Sequence, residues 1–145
     1  LVGSEMCIRD RPGIELPEYI PGGKERILLI DDEAVQLQSV QHMLERLGYT
    51  VLARADSTEA LDTFRADPQA FDLVITDQTM PKMTGEKLAE SLLTIRPDIP
   101  VILCTGFSEL VNGDKAKALG ISEFMMKPFT VKEMAKTIRR VLKQE

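Results

Sequence analysis

Asp77 closes an apolar run, Phe71-Asp72-Leu73-Val74-Ile75-Thr76, and is followed by Met80-Pro81 and Gly85. Asp31 and Asp32 close a second run, Ile27-Leu28-Leu29-Ile30, Thr105 closes Val101-Ile102-Leu103-Cys104, and Lys127 closes Phe124-Met125-Met126. If the four runs are parallel strands of one sheet, these five polar residues meet at its carboxyl edge, where open α/β sheets bind ligands. Three carboxylates gathered there repel one another, and their anionic forms persist only if a cation shares the site. An all-oxygen ligand set points to magnesium, which commonly takes one or two carboxylates, keeps several waters and binds a phosphoryl oxygen. A strand-end aspartate in that setting, with a lysine downstream, is suited to carry a phosphoryl group.

The elements that must deliver these residues follow from periodicity. From Lys24 onward, runs of strand length alternate with longer amphipathic segments, the order of βα units in a parallel sheet, and five such units are present. The first helix is expected from Ala34 to Leu47, with Leu37, Val40, Leu44 and Leu47 on its apolar stripe, Gln36, Gln38 and Gln41 in water, and Gly48 at the left-handed cap. Thr50 to Ala53 reads as a short strand, and Asp56-Ser57-Thr58-Glu59 as a capping box before a helix carrying Leu61 and Phe64 that ends near Pro68. Strand three is expected over Asp72 to Thr76. Thr84 is expected to cap a helix holding Leu88, Leu92 and Ile95, with Pro97 at its exit and Pro100 to Cys104 as strand four. Asn112-Gly113 weakens any helix begun at Ser108, so the fourth helix is placed from Asn112 to Leu119-Gly120. Strand five is Glu123 to Met126, and the last helix bears Val131, Met134, Ile138, Val141 and Leu142.

The first eleven residues, Leu1 to Arg11, resemble the in-frame translation of a transposase-type sequencing adapter and are set aside from fold reasoning. Their loss removes two acids and two bases, so the 23 acids and 18 bases fall to 21 and 16 and the net charge stays at -5. Pro12 to Gly23 carries Pro-Gly turn chemistry and reads as a linker, leaving one domain from Lys24 to Glu145. The acidic balance argues against direct nucleic-acid binding or contact with an anionic membrane, and no apolar run approaches a membrane span. Cys7 belongs to the set-aside segment, so Cys104 alone offers no disulfide or zinc framework; on its buried strand it is expected to be inert. A reducing cytoplasm fits this.

Leu28-Leu29-Ile30-Asp31-Asp32-Glu33, Asp72 to Asp77 with Met80-Pro81, Thr105-Gly106 and Lys127-Pro128-Phe129 resemble the receiver domain of two-component response regulators, in the family's order and spacing. The resemblance implies an α/β fold: a five-stranded parallel sheet, doubly wound and flavodoxin-like, (βα)5, with strand order 2-1-3-4-5. It implies that Asp77 is the phosphoacceptor, that Asp32 and Asp77 bind Mg2+ directly, that Asp31 acts through water and that the Thr79 backbone carbonyl completes the protein's share. Lys127 and the Thr105 hydroxyl would serve the other phosphoryl oxygens. Thr105 and Phe124 correspond to the family's switch pair, although Phe124 lacks the hydroxyl of a tyrosine. Pro128 corresponds to its cis-proline turn, and Thr79 and Phe107 to positions that modulate access of the hydrolytic water, here predicting slow loss of phosphate.

The partners implied are a histidine kinase or histidine phosphotransfer domain, in cis or in trans, and a surface of the fourth helix, fifth strand and fifth helix for output or a homodimer. Such domains promote their own phosphotransfer and dephosphorylation without being conventional enzymes. The linker, the adapter-like start and Ile102-Leu103-Cys104-Thr105-Gly106-Phe107-Ser108-Glu109 resemble the C-terminal receiver of a hybrid sensor histidine kinase. A free-standing single-domain regulator is the alternative, and the parent chain of a sensor kinase could be membrane-anchored. A phosphatase of the aspartate-nucleophile type would need Asp-x-Asp-x-Thr, and Asp77-Gln78-Thr79 lacks the second acid. A docking module that is never phosphorylated would not require the complete acidic set. His42 is followed by Met43-Leu44-Glu45, unlike a phosphorylatable kinase histidine.

Overall fold

A strand covered on both faces is apolar whichever way its side chains point, which is why such strands read as continuous runs rather than alternating ones. The computed structural model describes residues 20–106, 120–127 and 129–143. In chain order it contains β1 (Arg26–Ile30), α1 (Ala34–Arg46), β2 (Thr50–Arg54), α2 (Ser57–Ala66), a 3-10 turn (Pro68–Ala70), β3 (Leu73–Asp77), α3 (Gly85–Ile95), β4 (Val101–Thr105), β5 (Glu123–Met126) and α4 (Val131–Lys143). The helix expected from Asn112 to Leu119 lies outside the described residues.

All five strands are parallel, in the order β2-β1-β3-β4-β5. The chain moves outward from β1 to β2 and then crosses back to β3, so the winding reverses between β1 and β3. That crevice is where an open α/β sheet binds its ligand, and Asp31 and Asp77 stand on either side of it.

Successive strand residues point to opposite faces. On one face Ile27, Leu29, Ile75 and Ile102 pack with Leu37, Val40 and Leu44 of α1 and Met134, Ile138 and Val141 of α4. On the other, Leu28, Ile30, Val74 and Leu103 pack with Phe64 of α2 and Leu88 and Leu92 of α3. Burying each of these side chains contributes roughly 1.5–3 kcal/mol relative to leaving it exposed, so a sheet covered on both sides is a rigid base for groups at its rim.

Local signals end the helices as their residue types dictate. Gly48 takes φ +103°, its amide donates to the Glu45 carbonyl at 3.0 Å and the Tyr49 amide to Leu44 at 3.2 Å, a Schellman closure of α1. Asp56 caps α2 by accepting from Thr58 N at 2.8 Å and Glu59 N at 3.4 Å. Thr84 caps α3 by accepting from Lys87 N at 3.3 Å.

Candidate functional site

Strand register decides which side chains meet. Ile30 lies opposite Thr76, Asp77 opposite Cys104, and Thr105 opposite Met126, so the residue ending or following each central strand comes to the same rim. The ends are tied together by backbone bonds: Gln78 N donates to the Cys104 carbonyl at 2.9 Å, and Lys127 N donates to the Thr105 carbonyl at 2.7 Å.

Asp31, Asp32 and Asp77 each present a carboxylate oxygen within 4.8 Å of the others. Asp31 and Asp77 are buried at 5% and 7% exposure, whereas Asp32 faces solvent. Asp31 is pinned twice: its amide donates to the Arg54 carbonyl at 3.2 Å, and its Oδ1 accepts from the Glu33 amide at 3.0 Å. The Lys127 ammonium donates to Asp77 Oδ1 at 2.7 Å and stands 3.6 Å from Asp31 Oδ2. Burial drives the Asp31 carboxyl above the ordinary carboxylate range, with the negative charges of Asp32 and Glu33 adding to the rise and the Glu33 amide and Lys127 opposing it. Burial disfavours the Lys127 charge, but its bond to Asp77 and the field of Asp31 and Asp77 outweigh this and hold it above the usual lysine value. Three carboxyl groups beside one ammonium, two of the three buried, offer an all-oxygen donor set of the kind that attracts a hard divalent cation.

Thr105, 2% exposed, ends β4. Thr79 is exposed in the loop after β3, and Phe124, at 36% exposure, lies on β5 three residues before Lys127. Phe107 and Pro128 lie outside the described residues. Cys104 is buried and its thiol is pushed up to about 12 by burial, in keeping with an inert packing role. His42 is exposed and off the buried stripe of α1.

Two features were not foreseen. Of the three glutamines expected in water, Gln38 is exposed but Gln36 and Gln41 are partly buried, and the Gln36 Oε1 accepts from Lys127 Nζ at 3.1 Å. The signal was its place four residues after Asp32, in the first turn of the helix that rises from the acid pair. Gln78, directly after Asp77, clasps the start of α3: its Oε1 accepts from the Glu86 amide at 2.9 Å, its Nε2 donates to Glu86 Oε2 at 3.2 Å, and its carbonyl accepts from Gly85 N at 2.9 Å.

The family model for the response regulator receiver domain matches residues 27–139. This chain belongs to the response regulator receiver family. The receiver is 36% identical over 121 residues to the "Probable transcriptional regulator ycf27" of Porphyridium aerugineum, covering 83% of this chain and 49% of that protein. It is 33% identical over 124 residues to the sensor kinase CckA of Brucella abortus, covering 85% of this chain and 13% of that one. The chain thus spans about half, or less, of the curated relatives it matches. Among solved structures, a receiver domain protein from Clostridium thermocellum superposes with a TM-score of 0.78 at 36% identity, over 81% of this chain and 94% of that one. The α/β fold and strand order expected from the resemblance are those found.

Proposed function

We propose that the receiver, placed from Lys24 to Glu145 after a linker over 12–23, takes a phosphoryl group from a phosphohistidine onto Asp77. The 2.7 Å bond from Lys127 Nζ to Asp77 Oδ1, beside the Asp31 and Asp32 carboxylates, carries this reading. A carboxylate oxygen of Asp77 forms the new bond to phosphorus while the P–N bond breaks, and the imidazole nitrogen keeps the bonding pair and takes a proton. Lys127 neutralises charge on one equatorial oxygen, and the Thr105 hydroxyl donates to another. Hydrolysis returns Asp77 when water adds to phosphorus and the acyl phosphate P–O bond breaks, with Thr79 and Phe107 setting how readily water enters.

The donor set fits Mg2+: three carboxylates, all oxygen, one of them open to solvent. Oxygens that share one magnesium at about 2.1 Å are separated by roughly 3–4 Å. With their oxygens all within 4.8 Å of one another, the three carboxylates can converge on one ion; the family resemblance assigns Asp32 and Asp77 as direct ligands, with the Thr79 carbonyl, and Asp31 through water. Bound there, Mg2+ would supply charge neutralisation on the phosphoryl oxygens.

The output surface is assigned to β5 and α4 with the neighbouring helix expected before β5, and Thr105 with Phe124 as the switch. A groove of about 360 Å3 lined by Phe124, Met126, Lys136 and Arg140, and the exposure of Met126 at 55%, support this face as the one that meets a partner or a second copy. Reversing a 1:99 population to 99:1 takes about 5.5 kcal/mol of differential stabilisation by the phosphoryl contacts. The phosphoryl donor is a histidine kinase or histidine phosphotransfer domain. The likeness to the sensor kinase CckA supports a place in a sensor kinase, and the ycf27 likeness supports a regulator instead; the C-terminal position in a hybrid kinase and the cytoplasmic setting rest on the sequence resemblance alone. No described helix is long and apolar enough to cross a membrane.

Incubation with radiolabelled acetyl phosphate and Mg2+ tests the acceptor. Label is expected on the wild type and absent from Asp77→Asn or after chelation; equal label on Asp77→Asn would overturn the assignment. Genomic sequence upstream of the Pro12 codon decides the context, a kinase ATPase domain in frame supporting the hybrid and a start codon there the free-standing regulator.

A further inference from the structure

A lysine ammonium has three donors and no acceptor. At the receiver's rim, the first Lys127 donor meets Asp77 Oδ1 at 2.7 Å, and a second meets Gln36 Oε1 at 3.1 Å. Asp31 Oδ2, at 3.6 Å, supplies field but not a full hydrogen bond. Lys127 borders a cavity of about 10 Å3 lined by apolar groups such as Leu37, Val40 and Cys104 and by the polar Asp31, Thr76 and Asp77. Among the described residues the ammonium donates to Asp77 and to Gln36, and Gln36 is the neutral one of the two.

The backbone of Gln36 is fixed. It sits in the first turn of α1, whose Leu37, Val40 and Leu44 are buried against the sheet. The contact spans 91 residues and links the α1 wall to the end of β5. An amide is also the right chemistry: a carboxylate there would join three others already within 4.8 Å of one another and compete with Asp77 for the ammonium.

We infer that Gln36 is a positioning residue for phosphoryl transfer: its side-chain carbonyl holds the Lys127 ammonium at the mouth of the cleft, aligned with Asp77 for the incoming phosphoryl oxygen. The inference rests on Asp77 being the phosphoacceptor. Without Gln36 the ammonium's remaining partners among the described residues are Asp77 and Asp31, and it is free to swing toward Asp31, away from the oxygen it must neutralise. Misplacement of a catalytic group by about 1 Å costs on the order of a hundredfold in rate.

Gln36→Met keeps chain length and removes the acceptor. Labelling by acetyl phosphate is compared for wild type, Gln36→Met, Lys127→Met and the double variant. Magnesium affinity is read by calorimetry, since the chain has no tryptophan to report it. The expected result is labelling at least fivefold slower in Gln36→Met, with the Mg2+ Kd within twofold of wild type, and no further slowing when Gln36→Met is added to Lys127→Met. Wild-type labelling in Gln36→Met, or the same slowdown with and without Lys127, would overturn the role. The same four proteins give a urea-denaturation cycle that needs no labelling. A coupling of about threefold in the folding constant is expected, and none would overturn the contact. A wild type that never labels, or an Asp77→Asn that does, defeats the phosphoacceptor reading and is seen apart from these comparisons.

Discussion

Gly85→Ala tests how tightly the phosphoacceptor strand is seated. Gly85 opens α3, is buried, and donates its amide to the Gln78 carbonyl at 2.9 Å. A Cβ at this position would lie 2.6 Å from Leu103 Cδ1 and 2.9 Å from the Asp77 carbonyl carbon, and closer still to the Asp77 carbonyl oxygen. Carbon atoms in contact prefer about 3.5–4.0 Å, so α3 and the end of β3 must separate by about 1 Å. Leu103 can turn aside, but the Asp77 backbone is held by pairing with Cys104 and by the Gln78 amide. Overpacking of this kind costs typically about 1–3 kcal/mol, against which alanine gains at most about 1 kcal/mol over glycine in a helix. A net loss of about 1–2 kcal/mol is expected from urea denaturation. Because the displacement falls on the backbone of Asp77, Mg2+-dependent labelling by acetyl phosphate should drop about 10- to 100-fold in protein that is still fully folded. A variant with the wild-type urea midpoint and the wild-type labelling rate would refute the reasoning.

Two further outcomes follow from burial at the same rim. Asp31 carries a folded-state pKa above its ordinary value of 3.8, so protonation favours the folded state and stability falls as pH rises above that value toward the folded pKa. Asp31→Asn keeps an acceptor for the Glu33 amide and removes the charge; in Mg2+-free buffer it should raise the urea midpoint at neutral pH, with the gain shrinking as pH falls toward 3.8. The same substitution should reduce the added stability that Mg2+ brings by mass action, which is about 1.4 kcal/mol at ten times the Kd. A lower midpoint for Asp31→Asn at neutral pH, without Mg2+, would show that its ion pair with Lys127 outweighs the cost of burial. Cys104, with its thiol pushed up to about 12 by burial, should resist a disulfide reagent in native protein bearing Cys7→Ser and react at once in urea. Rapid native labelling would refute that.

Much of the site was legible in the sequence because a doubly covered strand must be a continuous apolar run, so the first polar residue after it marks the rim. Asp31, Asp77, Thr105 and Lys127 are all found this way, and the sheet brings the strand ends together as expected. Helix ends were equally local: Gly48, Asp56 and Thr84 act on backbone groups within a few residues of themselves. Phe107, Pro128 and the helix expected from Asn112 to Leu119 lie outside the described residues.

Tertiary structure alone decided contacts between segments far apart in the chain. The polar face of α1 looked uniform, with Gln36, Gln38 and Gln41 interchangeable, until docking of the helix turned Gln36 toward a lysine 91 residues away. Nothing near Gly85 in sequence indicates that its missing Cβ makes room for the Asp77 backbone, because that approach depends on how α3 is laid against β3 and β4. Periodicity and capping act along the chain and can be read along it. The depth of Asp31, the hold on Lys127 and the room at Gly85 arise where separate βα units close on one another, and only their packing determines them.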